Sequence, residues 1–198
     1  MNIDNHILES LDASILTYNI SDAIFLEDDV IKFYYQVIEG KVKLNNYSDS
    51  GKEILQNIIE EGQSVGEYLL FLEDARSPIN AIAVTKCKVL KLPKNSFFKI
   101  LTDHPHLGLD INRNISRNIH FRHIMGKSAI QNSTAKLKTL LDYMKSKQKK
   151  SSPFSFQVPL TRQEMANYTG LAVETTIKTL KSMEKNNLVK IVNRKIFY

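Results

Sequence analysis

The sequence of 198 residues is poor in cysteine and has no long apolar run. Its one cysteine, Cys87, can form no disulfide within the chain and excludes a cysteine-rich metal cluster. No apolar run approaches the roughly 18 residues needed to span a bilayer. Residues 1–10 carry Asp4 and Glu9 and lack the basic start and apolar run of a signal peptide. We therefore expect a cytoplasmic protein with no membrane partner.

The sequence motifs of catalysis are lacking as well. The chain has no glycine-rich phosphate loop, no nucleophile elbow and no metalloprotease motif. The spacing of His120 and His123 places two imidazoles on one helical face. A transition-metal site normally needs a third and a fourth ligand, and none stands out. We expect no catalytic residue, no metal site and no enzymatic activity. We interpret the histidines, with His104 and His106, as lying on the surface or at a dimer edge.

Charge is distributed unevenly along the chain. Residues 1–127 hold 14 Lys and Arg against 17 Asp and Glu, a net charge of −3, whereas residues 128–198 hold 13 against 4, a net charge of +9. Such asymmetry indicates that the C-terminal part binds a polyanion and that the N-terminal part has another role. A basic surface that serves only solubility is the simpler alternative.

Residues 15–100 follow the pattern of an all-β domain. Short β-rich or alternating runs are separated by turn signals such as Glu39-Gly40 and Glu61-Gly62. This spacing is typical of an antiparallel sandwich or barrel and not of an α/β sheet. Strands are predicted at residues 33–38, 41–44, 53–59, 79–84 and 88–92.

The hydrophobic period changes near Pro105. Apolar residues then recur about every four positions with arginines between them, which predicts an amphipathic helix of roughly 20 residues. Its narrow apolar stripe fits pairing with a second copy of the helix and equally fits packing on the barrel, and the pattern leaves both open. The candidate dimerisation residues are Leu107, Ile111, Ile115 and Ile119.

Three shorter elements are predicted after this helix. The polar stretch at residues 126–133 is expected to break it, and residues 135–144 carry apolar residues on one helical face. Residues 154–160 alternate between apolar and polar positions, which predicts a strand.

The last segment has the layout of a winged helix-turn-helix. Thr161 and Glu164 are spaced as a capping box, which begins a first helix. Gly170 follows where a tight turn needs a residue that tolerates positive φ. A second helix is predicted from about Ala172 to Lys185, with Leu180 and Met183 facing inward, and residues 189–196 suggest a small β-hairpin, the wing.

In such a motif the second helix lies in the major groove, and residues of its first turns contact base edges. Glu174 can accept from a cytosine amino group, Lys178 can donate to guanine, and Val173 can pack on a thymine methyl. The alternative is a helical hairpin with a solvated charged face. The candidates for base contacts are Val173, Glu174, Thr175, Ile177 and Lys178, and those for phosphate contacts are Arg162, Lys181, Lys185, Arg194 and Lys195.

The run LTRQEMANYTGLAVETTIKTLKSMEKNNLVKI resembles the helix-turn-helix of the Crp/Fnr superfamily of bacterial transcription regulators. The order of segments agrees with this family over nearly the whole chain. The resemblance implies an α+β fold with an antiparallel, jelly-roll-like β-roll at residues 1–104, a dimerisation helix at 105–127 and a winged helix-turn-helix at 128–198. It also implies a homodimer on a pseudo-palindromic double-stranded DNA operator, with RNA polymerase as a further partner.

The ligand motif of the family is partly present. Val65-Gly66-Glu67 followed by Arg76-Ser77 resembles the phosphate-binding cassette of cyclic-nucleotide-binding domains. The resemblance implies that Glu67 holds the ribose hydroxyl and that Arg76 and Ser77 hold the cyclic phosphate, with Gly66 a further candidate for effector binding. The span from Gly66 to Arg76 is shorter than in cAMP receptors, Pro78 removes an amide donor, and His120-Phe121-Arg122 lacks the hydroxyl pair that contacts adenine.

For the effector, these departures leave open a cyclic nucleotide, another small molecule or no ligand at all. An ion pair between Glu67 and Arg76 is the structural alternative for the cassette. The iron–sulfur chemistry of Fnr is excluded by the single cysteine, Cys87, which we interpret as a buried small hydrophobe, whereas haem bound through histidine stays open. The alternative function is a cyclic-nucleotide sensor whose C-terminal module docks a protein.

Overall fold

The computed structural model describes residues 12–148 and 152–198. The chain divides into two compact units, Met1–Arg117 and Asn118–Tyr198. The boundary between them lies inside the long helix, so the division predicted at residues 104 and 127 stays a prediction.

Within residues 12–117, the first unit contains seven antiparallel strands in two sheets. One sheet has the order β1-β7-β3 and the other the order β2-β6-β4-β5. Non-consecutive neighbours in both sheets confirm the predicted β-roll. The strands are β1 Ser14–Tyr18, β2 Ala23–Phe25, β3 Phe33–Glu39, β4 Val42–Tyr47, β5 Glu53–Ile59, β6 Asn80–Ala83 and β7 Cys87–Pro93.

Apolar side chains from both sheets form the core of the β-roll. Tyr34, Val37, Val42 and Val89 are among its fully buried members. The turn between β3 and β4 needs Gly40, because its φ is +94° and a Cβ there would lie 2.5 Å from the carbonyl oxygen of Lys86. The five strands predicted from the sequence are all present, each within a few residues of its predicted ends.

A helix that the sequence did not predict follows the last strand. Helix α1, Lys94–Asp103, buries Phe97 and Ile100 in the β-roll core. Phe97 stacks on Tyr34 with ring centroids 4.6 Å apart. The Phe97-Phe98 pair favours a strand on propensity alone. The helix is only 10 residues long, which is too short for a helical period of apolar residues to be recognised in the sequence.

Helix α2, Pro105–Ser128, is 24 residues long. It continues through Gly126 and ends at Ser128, inside the polar stretch of residues 126–133 that was predicted to break it. It ends where the hydroxyl of Ser128 donates to the carbonyl of Met125 at 2.7 Å. A glycine inside a helix costs about 1 kcal/mol relative to alanine but does not by itself end the helix.

Within residues 118–148 and 152–198, the second unit contains the end of α2, three further helices and a two-stranded hairpin around a core of its own. Asn132 begins α3 by accepting a hydrogen bond from the amide of Ala135 at 2.9 Å. The core includes Leu137, Phe156, Met165 and Leu180. The elements are α3 Ser133–Ser146, α4 Arg162–Thr169, α5 Val173–Lys185, β8 Lys190–Val192 and β9 Lys195–Phe197.

The strand predicted at residues 154–160 is wrong as a regular strand. The segment lies beside β9 and forms a single bridge, Gln157 to Phe197. The amide of Val158 donates to the carbonyl of Ile196 at 2.8 Å. Pro159 has no amide hydrogen, and Phe154 adopts a positive φ of 56°, so the extended pairing cannot continue in either direction.

Candidate nucleic-acid interface and effector cassette

The first helix of the motif, α4, begins at the predicted capping box. The Thr161 hydroxyl accepts from the Glu164 amide at 3.1 Å, and the Glu164 carboxylate accepts from the Thr161 amide at 2.6 Å. The helix ends at Gly170, whose φ of 69° is the left-handed conformation that the tight turn requires. Ala166 is buried, and the small side chain lets α4 and α5 pack closely.

The second helix, α5, divides cleanly into a buried face and an exposed face. Thr176, Thr179, Leu180 and Met183 are buried. Thr176 and Thr179 donate their hydroxyls to the carbonyls of Ala172 and Thr175, at 3.1 and 2.7 Å. The opposite face is open to solvent and holds the residues predicted to contact DNA: the half-buried Val173 and the exposed Glu174, Thr175, Ile177, Lys178, Lys181 and Lys185.

Sequence reasoning missed the residue that fixes α5 against α3. The hydroxyls of Thr179 and Ser133 lie 3.1 Å apart in a hydrogen bond between the two helices. Thr179 also bonds within its own helix, so its rotamer is determined by two partners. A buried threonine in an amphipathic helix is the available sequence signal, but its partner lies 46 residues earlier and no local pattern indicates it.

The wing is the hairpin of β8 and β9, as predicted. Asn193 and Arg194 form its two-residue turn with φ values of 48° and 64°, both in the left-handed region that a type I′ turn needs. The wing is attached to α5, because the amide of Ile191 donates to Glu184 at 3.0 Å. It is attached to α4 through Arg162, which donates to the carbonyl of Arg194 at 2.9 Å. Lys190 is a further exposed cation here, which sequence reasoning missed.

The four acidic residues of 128–198 show why this unit presents a positive surface. Asp142 pairs with Lys138 at 2.7 Å. Glu164 closes the capping box, and Glu184 accepts from the wing. Glu174 is the exception, since within 12–148 and 152–198 its carboxylate has neither a hydrogen-bond nor an ion-pair partner. Three carboxylates are therefore engaged internally, and the fourth stands on the exposed face of α5.

In the effector cassette of the first unit, residues 65–67 and 76–77, the carboxylate is buried and not exposed. Gly66 has a φ of 68°, and a Cβ there would lie 2.9 Å from the ring of Phe25. It begins a short 3₁₀ helix, Glu67–Phe71. The Glu67 side chain is 3% exposed. Burial raises the pKa of its carboxyl, while hydrogen bonds from its own amide and from Ser64 oppose that rise.

The donors expected to hold a cyclic phosphate are bound within the cassette itself. Arg76 is exposed and donates to the carbonyl of Asp28 at 2.8 Å. The Ser77 hydroxyl donates to the carbonyl of Ile79 at 2.7 Å, and the Ser77 amide donates to the carbonyl of Asp29 at 2.8 Å. Both donors of Ser77 therefore have a carbonyl partner, whereas Arg76 uses one of its five N–H groups on Asp28.

The alternative of an ion pair between Glu67 and Arg76 is wrong. Glu67 is buried beside Ser64, whereas the Arg76 guanidinium is exposed and bound to Asp28. No ion pair joins the two among the residues that the structure describes.

The four candidate dimerisation residues are not equivalent. Leu107 and Ile111 are buried in the core of their own β-roll, with Ile111 1% exposed, and Ile115 packs partly against that core. Burial within one chain leaves these side chains little surface for a second copy. Ile119 is 50% exposed, and α2 also carries the exposed Leu109. The dimerisation role of the four residues stays a prediction.

The remaining candidates have structural explanations. Cys87 is buried, as predicted for a small hydrophobe, and its thiol donates to the carbonyl of Lys41 at 3.1 Å. Within 12–148 and 152–198, no cluster of three or more His, Cys, Asp or Glu could hold a metal ion. Nor does any helix in these ranges have the length and apolarity to cross a membrane.

Two family models match the chain. Residues 15–104 match the cyclic nucleotide-binding domain, and residues 136–197 match the Crp-like helix-turn-helix domain. A sensing β-roll combined with a winged helix-turn-helix defines a class of proteins, the DNA-binding transcription regulators with a built-in sensor. Within that class, the chain belongs to the Crp/Fnr family, which confirms the fold and the function predicted from the sequence.

Similar proteins cover most of the chain at low identity. The cAMP-activated global transcriptional regulator CRP of Haemophilus influenzae is 24% identical over 171 residues, which are 85% of this chain and 76% of that protein. The nitrogen fixation regulation protein FixK of Bradyrhizobium diazoefficiens is 23% identical over 181 residues, 89% of this chain and 74% of that protein. The structure of the c-di-GMP responsive global regulator CLP of Xanthomonas campestris matches with a TM-score of 0.76 at 19% identity and covers 98% of each chain, a likeness in fold.

Proposed function

We propose that this regulator binds a pseudo-palindromic operator as a homodimer, with α5 in the major groove of each half-site and the wing beside it. The exposed face of α5 carries the proposal. Its buried face is filled by Leu180, Met183 and two bonded threonines, while its solvent face presents a carboxylate and several ammonium groups without internal partners. Side chains in this position contact base edges and phosphates in a helix-turn-helix.

The salt dependence of DNA binding tests the proposal. A duplex is selected from a randomised pool with the wild-type chain, and its affinity is followed by fluorescence anisotropy over a series of salt concentrations. Binding that neutralises several phosphates should weaken steeply as salt rises. Lys181→Gln should weaken binding on every sequence and reduce the slope by about 1. Lys99→Gln, an exposed lysine of the first unit, is the matched control and should leave the slope unchanged.

The alternative of a protein-docking module gives a different outcome. A surface adapted to bind protein neutralises few DNA phosphates and therefore releases few counterions. Its affinity for the duplex should be weak and nearly independent of the salt concentration. DNA is rejected as the ligand of this surface if no duplex is selected and if Lys181→Gln and Lys99→Gln show the same DNA affinity and the same salt slope.

The proposed dimer depends on the exposed part of α2. Ile119 is an apolar side chain at the surface of a helix, and such residues commonly become buried on association. Ile119→Asp should shift the sedimentation coefficient towards that of a monomer, whereas Thr102→Asp adds the same charge at an exposed position of α1 and should not. A wild-type chain that sediments as a monomer at DNA-binding concentrations contradicts the assembly.

For the sensing domain, we propose an effector other than a cyclic nucleotide. The engaged donors of Ser77 support this, since a cyclic phosphate would have to displace carbonyl partners from its hydroxyl and its amide. Thermal shift against cAMP and cGMP should give no rise in the midpoint, because only a ligand of the folded state raises it. A rise of several degrees at micromolar nucleotide, abolished in Arg76→Ala, would show that the cassette opens for a phosphate. Contact with RNA polymerase stays a prediction.

A further inference from the structure

Two histidines of α2 are exposed beside the side chain proposed to form the dimer contact. His120 follows Ile119 directly, His123 lies one helical turn after Ile119, and all three are exposed to solvent. Residues three or four apart on a helix are neighbours on its surface, so His123 shares a face with both Ile119 and His120. A helix that covers Ile119 therefore also comes close to the two imidazoles.

Gly126 indicates what covers this face. It lies three positions after His123 and thus on the same side of α2. A Cβ at Gly126 would meet no other part of the chain within 4 Å, so the described residues would accept a side chain here. Glycine inside a helix costs about 1 kcal/mol relative to alanine. Since the distance between packed helices depends on the side chains at their contact, a missing side chain lets a second helix approach closely. A second copy of α2 is the occupant that fits this face.

Within one chain the two imidazoles cannot complete a metal site. Such a site normally takes four ligands, and the described parts of the chain hold no group of three or more His, Cys, Asp or Glu that could bind an ion. Residues 111–141 contain neither a carboxylate nor a cysteine. Asp110, at one end of this stretch, pairs with Arg113 at 2.9 Å. Asp142, at the other end, pairs with Lys138 at 2.7 Å.

A second copy of the chain can supply the two missing ligands. In a two-fold dimer the same surface patch of each copy faces the other. The two half-sites of the proposed operator lie on one duplex, which favours a parallel pair of α2 helices, and in a parallel pair equal positions lie at the same level. His120 and His123 then face their counterparts, which brings four imidazoles to one point of the two-fold axis.

We propose that His120 and His123 of two copies together bind one divalent transition-metal ion, of the class of Zn²⁺, Co²⁺, Ni²⁺ or Cu²⁺, at the dimer axis. Imidazole suits these ions, whereas Mg²⁺ and Ca²⁺ favour carboxylates, which residues 111–141 lack. The inference rests on the proposed function, since the site is incomplete without the homodimer. Because the ion binds only the associated chains, it stabilises the dimer by mass action.

Cobalt is the direct probe of the site, because a tetrahedral Co²⁺ complex absorbs far more strongly in the visible range than the hydrated ion does. The wild-type chain is freed of metal with a chelator and titrated with Co²⁺. The absorption should reach its limit at one ion for every two chains. His120→Ala and His123→Ala should each abolish it. His106→Ala removes another exposed histidine of α2 and should leave the titration unchanged.

Sedimentation tests the link between the ion and the dimer. At a protein concentration where the wild-type dimer is partly dissociated, Zn²⁺ should raise the fraction of dimer, and a chelator should reverse the change. His123→Ala should not respond to Zn²⁺. Ile119→Asp should remain a monomer and lose the cobalt absorption, although both of its histidines are present.

The outcomes separate this inference from the proposed function. If the chain is a dimer that binds the selected duplex but gives no tetrahedral cobalt spectrum, the metal site is wrong and the proposed function stands. Saturation at one ion per chain, or full absorption in Ile119→Asp, also rejects the site, because the second copy would then contribute no ligand. A wild-type chain that stays monomeric contradicts the proposed dimer and the metal site together.

Discussion

Helix α5 and the effector cassette use similar polar residues in opposite ways. On α5, Glu174 and Lys178 extend into solvent without hydrogen-bond partners in the described parts of the chain. In the cassette, Arg76 and Ser77 donate to backbone carbonyls, and Glu67 is buried. A side chain with free donors can bind a ligand directly, as can the remaining N–H groups of Arg76, whereas the hydroxyl and amide of Ser77 must first give up a bond. The DNA-binding surface is therefore organised in advance, and the cassette is closed on itself.

The position of the exposed face of α5 depends on the buried residues of the same helix. Leu180 lies on the inner face of α5 and is 1% exposed, and Leu180→Ala should destabilise the second unit by about 2–5 kcal/mol. DNA affinity should fall with it, because the positions of Glu174 and Lys178 depend on how α5 is seated. Chemical denaturation, monitored by amide hydrogen exchange in residues 118–198, measures the loss of stability. Undiminished protection there would show that α5 is held by other contacts.

The sequence was sufficient for the DNA-binding surface because its signals are local. The capping box needs two residues three apart, the turn needs Gly170, and the inward positions follow from a period of 3.6. The hairpin of the wing follows from the residues at 189–196. Each of these features was predicted within a few residues, and each is present in the structure.

The cassette could not be predicted in the same way, because its state depends on contacts between distant residues. Arg76 bonds a carbonyl 48 positions earlier, and the sequence gives no sign that Asp28 will be its partner. Helix α1 was missed for a related reason, since Phe97 is placed by a stack on Tyr34 of β3. Leu107 and Ile111 show the same limit: periodicity identified an apolar stripe but not what buries it.

Base-dependent and base-independent contacts on α5 can be separated. Lys178→Ala should lose about 1–3 kcal/mol of binding free energy, and the loss should depend on the base at one position of the half-site. Lys181→Ala, also exposed and placed closer to the phosphates in the proposed arrangement, should weaken all duplexes equally. Anisotropy titrations against single-base variants of the selected duplex measure both. Equal weakening by the two substitutions would remove Lys178 from the base-contacting set.

The closed state of the cassette has a pH signature. Because burial raises the pKa of Glu67 in the folded chain above its ordinary value of 4.5, the folded state binds this proton more tightly than the unfolded state does. The contribution of Glu67 to stability is therefore fully present below pH 4.5 and is lost as the pH rises through the higher, folded pKa. Glu67→Gln should remove that part of the pH dependence in thermal melts of the β-roll.

An exposed carboxylate serves as the control for Glu67. Glu61 lies nearby in sequence and at the surface, and Glu61→Gln should leave the pH profile of the wild type in place. A Glu67→Gln profile that is superimposable on the wild-type profile would mean that Glu67 is solvated in solution and that the cassette is open.

The smallest expected effect concerns the attachment of the wing. Arg162 donates to the carbonyl of Arg194, so its guanidinium orients the turn that carries Arg194 and Lys195. Arg162→Ala should cost about 0.5–1.5 kcal/mol of stability for the lost hydrogen bond, and it should also reduce the salt slope if Arg162 contacts a phosphate as well. Arg162→Lys retains the charge but loses the planar geometry of the guanidinium, so it should restore the slope and not the stability. Recovery of both by lysine would show that charge alone matters at this position, and recovery of neither would show that the hydrogen bond to the wing is the main role of Arg162 in DNA binding.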